Sequence, residues 1–170
     1  DECTSPTADY AYQKEALDRT HRWAKRSILA HKRDYAALKT QALYGVIQGG
    51  RHEDLRTESA RELSKMNFDG YGIGGSFSKE DLCEALGWVN SILPPEKPRH
   101  LLGIGEPEDI FMGIENGVDT FDCVAPTRIA RTGTIYTHTG KVNLMQTKYQ
   151  TDLGKPDDAC NCYTCTHYTR

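Results

Sequence analysis

The chain has 170 residues, of which 38% are hydrophobic and 26% charged, so it is long enough for a core of its own and has the balance of an ordinary globular domain. A formal net charge of -3 excludes a generally basic nucleic-acid coat, and any RNA contact has to be a local patch. No apolar run approaches the roughly 20 residues a membrane-spanning helix needs, and the mean hydropathy is -0.64.

In chain order, an amphipathic pattern over 9–38 predicts a first helix. The apolar run Leu43-Tyr44-Gly45-Val46-Ile47-Gln48 predicts a buried strand, and a helical pattern over 52–66 follows it. The unit then repeats. Tyr71-Gly72-Ile73-Gly74-Gly75 precedes a helical pattern over 79–93, and Leu101-Leu102-Gly103-Ile104-Gly105 precedes one over 107–116 that opens with proline and acidic residues. A fourth strand is predicted at Thr120-Phe121-Asp122-Cys123-Val124. Strands alternating with helices imply an α/β fold with a parallel sheet, either doubly wound or closed as a (β/α)8 TIM barrel, of which four strands make half. Asp1 is expected to close a fifth strand. Beyond these units, alternation over 134–144 with Thr139-Gly140 at its turn reads as a β-hairpin.

In barrels the chemistry gathers at the C-terminal ends of the strands, and here those ends carry Gln48, Gly74-Gly75, Gly103 and Asp122. Each has a plainer reading as well: a glycine pair makes a turn, Gln48 can be simply solvated, and an aspartate after a strand often caps the next helix. Pro126 is expected to delay any helix after Asp122, which weakens the capping explanation there. A carboxylate at the mouth of a barrel suits nucleophilic attack on a sugar carbon.

Cys160, Cys162 and Cys165 fall at CxCxxC spacing, which brings three sulfurs around one point as a tetrahedral zinc site requires. A reduced cluster, or a pair poised for a disulfide, is the alternative. His167 lies too near Cys165 to fold back on the same ion, so a fourth ligand is expected beyond Arg170. Cys3, Cys83 and Cys123 show no pairing pattern, which points to a reducing, cytoplasmic compartment. The opening residues carry neither a start methionine nor a signal peptide, and the chain reads as a segment of a longer protein.

Six ordered phrases together resemble the tRNA-guanine transglycosylase (queuine tRNA-ribosyltransferase) family of bacterial type, over the full length and in its C-terminal half. They are Asp1-Glu2-Cys3-Thr4, Gly45-Val46-Ile47-Gln48-Gly49-Gly50, Gly72-Ile73-Gly74-Gly75, Leu102-Gly103-Ile104-Gly105-Glu106-Pro107-Glu108-Asp109, Phe121-Asp122-Cys123-Val124-Ala125-Pro126-Thr127-Arg128 and the cysteine cluster. The resemblance implies the C-terminal half of a (β/α)8 barrel over 1–132, and over 133–170 a hairpin leading into part of a zinc-binding subdomain. It implies exchange of the wobble guanine of tRNA anticodons for a deazaguanine base. Asp122 falls at the position of the nucleophile that forms a covalent ribose intermediate. Asp1, Cys3, Gln48, Gly74, Gly75 and Leu102 match positions of the base site. Leu102 stands where the family usually has methionine under the base, though a leucine there could equally be core. Cys3 matches relatives that use 7-aminomethyl-7-deazaguanine, while Ser76 departs from the commoner leucine and leaves the fine preference open.

RNA contacts are expected from Gly103, Gly105, Glu106 and Asp109 in one loop, and from Thr127, Arg128 and Arg131, whose plainer reading is a solvated face. The family's general acid/base aspartate has no counterpart here, so this chain by itself is expected to be inactive. Structural zinc, a homodimer of the complete protein and no membrane contact complete the implied picture. A transglycosylase acting on another tRNA position or on DNA, or a silent RNA-binding subunit, are the rival readings. The presence of Asp122 together with all three cysteines counts against the silent subunit.

Overall fold

The computed structural model describes every residue except 76–79, which leaves the Ser76 position and the Lys79 start of a helix outside the described residues. The chain divides into two compact units, Asp1–Asp122 and Cys123–Arg170. In the first unit the strands are β1 (Tyr44–Ile47), β2 (Gly70–Ile73), β3 (Arg99–Leu101) and β4 (Thr120–Phe121). All pair in parallel in the order β1-β2-β3-β4. This is the α/β repetition expected from the sequence, with each strand joined to the next through a helix.

The helix expected over 9–38 is two helices, α1 (Tyr10–Arg33) and α2 (Tyr35–Thr40). Asp34 makes the break: its carboxylate accepts the backbone N–H groups of Ala36 and Ala37, each at 3.0 Å, and so starts a second helix instead of extending the first. The other crossovers are α3 (Glu53–Ser64), α4 (Leu82–Asn90) and α5 (Pro107–Glu115), the last with Pro107 in its first turn, where a missing N–H costs no hydrogen bond. β3 ends at Leu101, earlier than expected, because Gly103 turns the chain with a φ of +72°. Asp1 lies in irregular chain and adds no fifth strand.

The strand registers sort the side chains onto two faces, because successive residues of a strand point opposite ways. Ile47, Ile73, Leu101 and Phe121 pair in one row. The first three are fully buried, in a core completed by Leu63 of α3 and by Leu82, Leu86 and Val89 of α4. Val46, Gly72, His100 and Thr120 form the row on the other face. A Cβ on Gly72 would lie 3.3 Å from Leu102 and 3.6 Å from Val46, so those side chains cover the space its missing side chain leaves.

In the second unit α6 (Ala125–Ala130) begins at once, with Pro126 in its first turn, so the proline does not delay the helix as expected. β5 (Thr134–Thr137) and β6 (Gly140–Asn143) form the expected antiparallel hairpin. A short helix α7 (Tyr163–His167) carries the last cysteine. Among the described residues no helix is long and apolar enough to cross a membrane.

Candidate active site at the strand ends

Immediately after β1, β2, β3 and β4 come Gln48, Gly74, Leu102 and Asp122. Each is two residues beyond a member of the Val46-Gly72-His100-Thr120 row, so period-two alternation puts all four on the face away from the helical core. Contacts bear this out for the first three. A Cβ on Gly74 would sit 3.2 Å from Gln48 Nε2 and 3.2 Å from Leu102 Cδ1. Leu102 is 39% exposed, so it is not a core residue; it spreads over the two glycines as an open apolar surface.

Gln48 is buried, and its Nε2 donates to Asp1 Oδ2 at 2.7 Å. The interaction joins the first residue of the chain to the end of β1. Gly75 follows at φ +99°, a conformation in which a Cβ would meet Gln48 Oε1 at 2.9 Å and Arg56 Nη2 at 2.8 Å. Asp1, Gln48, Gly74, Gly75 and Leu102 are therefore neighbours. Cys3 is exposed and close enough to Arg56 to act on its charge.

Asp122 is held from two sides. Its Oδ1 accepts the Gly103 backbone N–H at 2.9 Å and lies 3.1 Å from His100 Nε2, and its side chain remains 58% exposed. A carboxylate only accepts, so Nε2 carries the proton in this contact. His100 Nδ1 then faces the Thr120 hydroxyl at 2.8 Å, the residue paired with it across β3 and β4. Both donors converge on one oxygen, which fixes the plane of the carboxylate.

Two residues of this site escaped the sequence reading. His100 could have been found from position alone, since it lies two residues before Leu102 on the same strand face. Arg56 gave no such signal: it sits near the start of α3 in a pattern that reads as a solvated helix face. It is instead fully buried, and its guanidinium donates to the carbonyls of Gly50 at 2.6 Å and Gly74 at 3.0 Å. Burial pulls its pKa down to about 10, so it stays charged at neutral pH.

The residues expected on RNA are placed unevenly. Gly103, Gly105 and Glu106 lie on the loop between β3 and α5, whereas Asp109 is 2% exposed, which withdraws its side chain from any RNA contact. Thr127, Arg128 and Arg131 are exposed on or just after α6 in the second unit.

Cys160, Cys162 and Cys165 bring their sulfurs within 4.8 Å of one another. Thiolates about 2.3 Å from a tetrahedral zinc stand about 3.8 Å apart, which lies inside that limit, so the donor set is compatible with zinc. The backbone N–H of Cys165 lowers the pKa of the Cys162 thiol, while burial raises that of Cys165. His167 is stacked on Tyr163, with ring centroids 4.2 Å apart, and its Nδ1 lies 2.9 Å from the Tyr163 carbonyl. Asp18, His21 and Glu58 form a second close group, but the Lys14 ammonium already bridges its two carboxylates at 2.6 and 2.9 Å.

The sequence pattern of the queuine tRNA-ribosyltransferase family matches residues 1–170, the whole chain. The chain belongs to this family. Its relatives include the queuine tRNA-ribosyltransferase of Lactococcus lactis subsp. lactis, 46% identical over 173 aligned positions that take in 100% of this chain and 44% of the relative. The protein of that name from Bacillus subtilis is 44% identical over the same span, again 100% of the chain and 44% of the relative. The one from Desulforamulus reducens is 46% identical, with 100% and 45% covered. The chain thus spans less than half the length of the family members it matches, and the matched part is their C-terminal portion.

Proposed function

We propose that residues 1–170 form the C-terminal part of a tRNA-guanine transglycosylase, with Asp122 as its nucleophile. The observation that carries this reading is the exposed Asp122 carboxylate, held through Oδ1 by Gly103 and His100 at the end of a row that also holds Gln48, Gly74 and Leu102. Among the described residues no hydrogen bond reaches Oδ2, which suits it to attack carbon. In the proposed reaction Asp122 bonds to C1′ of the wobble guanosine, the C1′–N9 bond breaks, and guanine leaves with the bonding electrons and takes up a proton. A deazaguanine then loses its ring N–H proton, attacks C1′ from the vacated side and releases the carboxylate. Two displacements retain the configuration, as in glycosidases with a carboxylate nucleophile.

Asp1, Gln48 and Gly75 are suited to a purine edge, since they offer an anionic acceptor, an amide that both donates and accepts, and a backbone N–H. Leu102 would form the apolar floor, and Cys3 would border the substituent of 7-aminomethyl-7-deazaguanine, the base we favour. The target nucleotide has to leave the anticodon stack to reach the row, so a flipped base is part of the proposal. Exposed Arg128 and Arg131, with Thr127 and the backbone of Gly103, Gly105 and Glu106, are the proposed RNA contacts. Structural zinc on Cys160, Cys162 and Cys165 would fix the loop that carries them. The sequential parallel order of β1 to β4 supports a (β/α)8 barrel with residues 1–132 as its C-terminal half and 133–170 as the hairpin and part of the zinc subdomain. A cytoplasmic homodimer is the proposed setting.

The function is tested by incubating the full-length protein with tRNA carrying labelled guanine at the wobble position. Release of the label on adding 7-aminomethyl-7-deazaguanine, and none from tRNA with another wobble base, is the expected result. Absence of exchange would refute it.

A further inference from the structure

We propose that Arg56 is a positioning residue for the base site: its guanidinium locks the Gly74–Gly75 peptide with the N–H turned to the purine and sustains that donor as the purine departs. The inference rests on the base-exchange reading above and extends it to a residue outside the contact row.

The loops after β1 and β2 are built of glycines, and glycine loops cannot hold themselves in one conformation through side-chain packing. Gly49, Gly50 and Gly75 take φ values of +131°, +56° and +99°. Arg56 reaches both loops from α3, with Nε to the Gly50 carbonyl at 2.6 Å and Nη2 to the Gly74 carbonyl at 3.0 Å. The fork geometry of a guanidinium permits two such bonds at once, and a lysine ammonium on its flexible stem does not reproduce it. The packing is close on both sides. A Cβ on Gly49 would come within 2.7 Å of the Arg56 backbone nitrogen, and one on Gly75 within 2.8 Å of Nη2.

The orientation of the next N–H follows from the peptide itself. No peptide bond is cis, and in a trans peptide the C=O and N–H point in opposite directions. Since the Gly74 carbonyl faces Arg56, the Gly75 N–H faces away from it, and Gln48 Oε1 borders the same glycine. A charged donor on the carbonyl polarises the peptide and makes its N–H a stronger donor. When the glycosidic bond breaks, the purine carries the electron pair and its negative charge spreads to its acceptor atoms, the ring carbonyl oxygen among them. A fixed donor backed by a buried positive charge stabilises that state more than the neutral base.

The test compares wild-type full-length protein with Arg56→Met and Arg56→Lys for binding of 7-aminomethyl-7-deazaguanine, of the same base with its ring carbonyl oxygen replaced by hydrogen, and of tRNA. The expected result is base binding weaker by about tenfold or more in Arg56→Met, the scale of one charge-assisted hydrogen bond, and a smaller loss in Arg56→Lys. tRNA binding stays within about twofold, and the carbonyl-less base binds wild type and variants alike. Unchanged base affinity, or an equal loss for both bases, would overturn the proposal, the second because a merely disordered pocket loses both. Should Arg56→Met fail to show a cooperative melt, Arg56→Lys decides by the same comparison. A wild-type protein that binds no deazaguanine would overturn the base-exchange reading itself.

Discussion

At Asp122 a single carboxylate oxygen takes both hydrogen bonds, one from the backbone of Gly103 and one from the ring of His100. The consequence is a carboxylate with a fixed plane, whose second oxygen takes no hydrogen bond among the described residues, and in the proposed reaction His100 acts only through Asp122. It is best described as a positioning residue. Replacing it with phenylalanine keeps the ring and removes the donor, while glutamine places an N–H near the position of Nε2. His100→Phe is therefore expected to lower kcat for base exchange about tenfold, in the range of one lost hydrogen bond to a charged group, with KM for tRNA unchanged. His100→Gln should restore most of the rate. Steady-state kinetics checks this, and equal losses in the two variants would mean that the ring only packs. The place of Asp122 at a strand end was legible in the sequence, from the apolar run that leads into it. The pairing of His100 was not, since it depends on the register that puts His100 opposite Thr120.

Among the elements, the strands and crossover helices were read from alternation of short apolar runs and amphipathic stretches, and the parallel sheet followed. Errors fell where one residue decides. Asp34 divides the first helix by capping a second, and Gly103 ends β3 early. Arg56 was illegible for the opposite reason: a helix pattern records charge as exposure, and only tertiary packing shows that two glycine loops close over it. The cysteine loop was read from spacing alone, and its three sulfurs do converge. Full-length protein is expected to hold one zinc per chain, lost on Cys162→Ser because two thiolates from this loop bind too weakly. Metal analysis by mass spectrometry checks this, and an unchanged zinc content would contradict it.

For the molecule as a whole, the family follows from a match over all 170 residues, and the relatives are more than twice as long as the chain. β1 to β4 keep their sequence order across the sheet, and their ends carry the proposed chemistry on one face. Among the described residues β1 and β4 are the outer strands of this sheet, and open edges are prone to association, which is the physical reason to test activity in the full-length protein. The central claim is that Asp122 bonds covalently to the ribose. Wild-type protein incubated with tRNA and then run on a denaturing gel should show a protein–RNA band that Asp122→Asn lacks, while native gels show both proteins binding tRNA. A band of undiminished yield from Asp122→Asn would contradict the account.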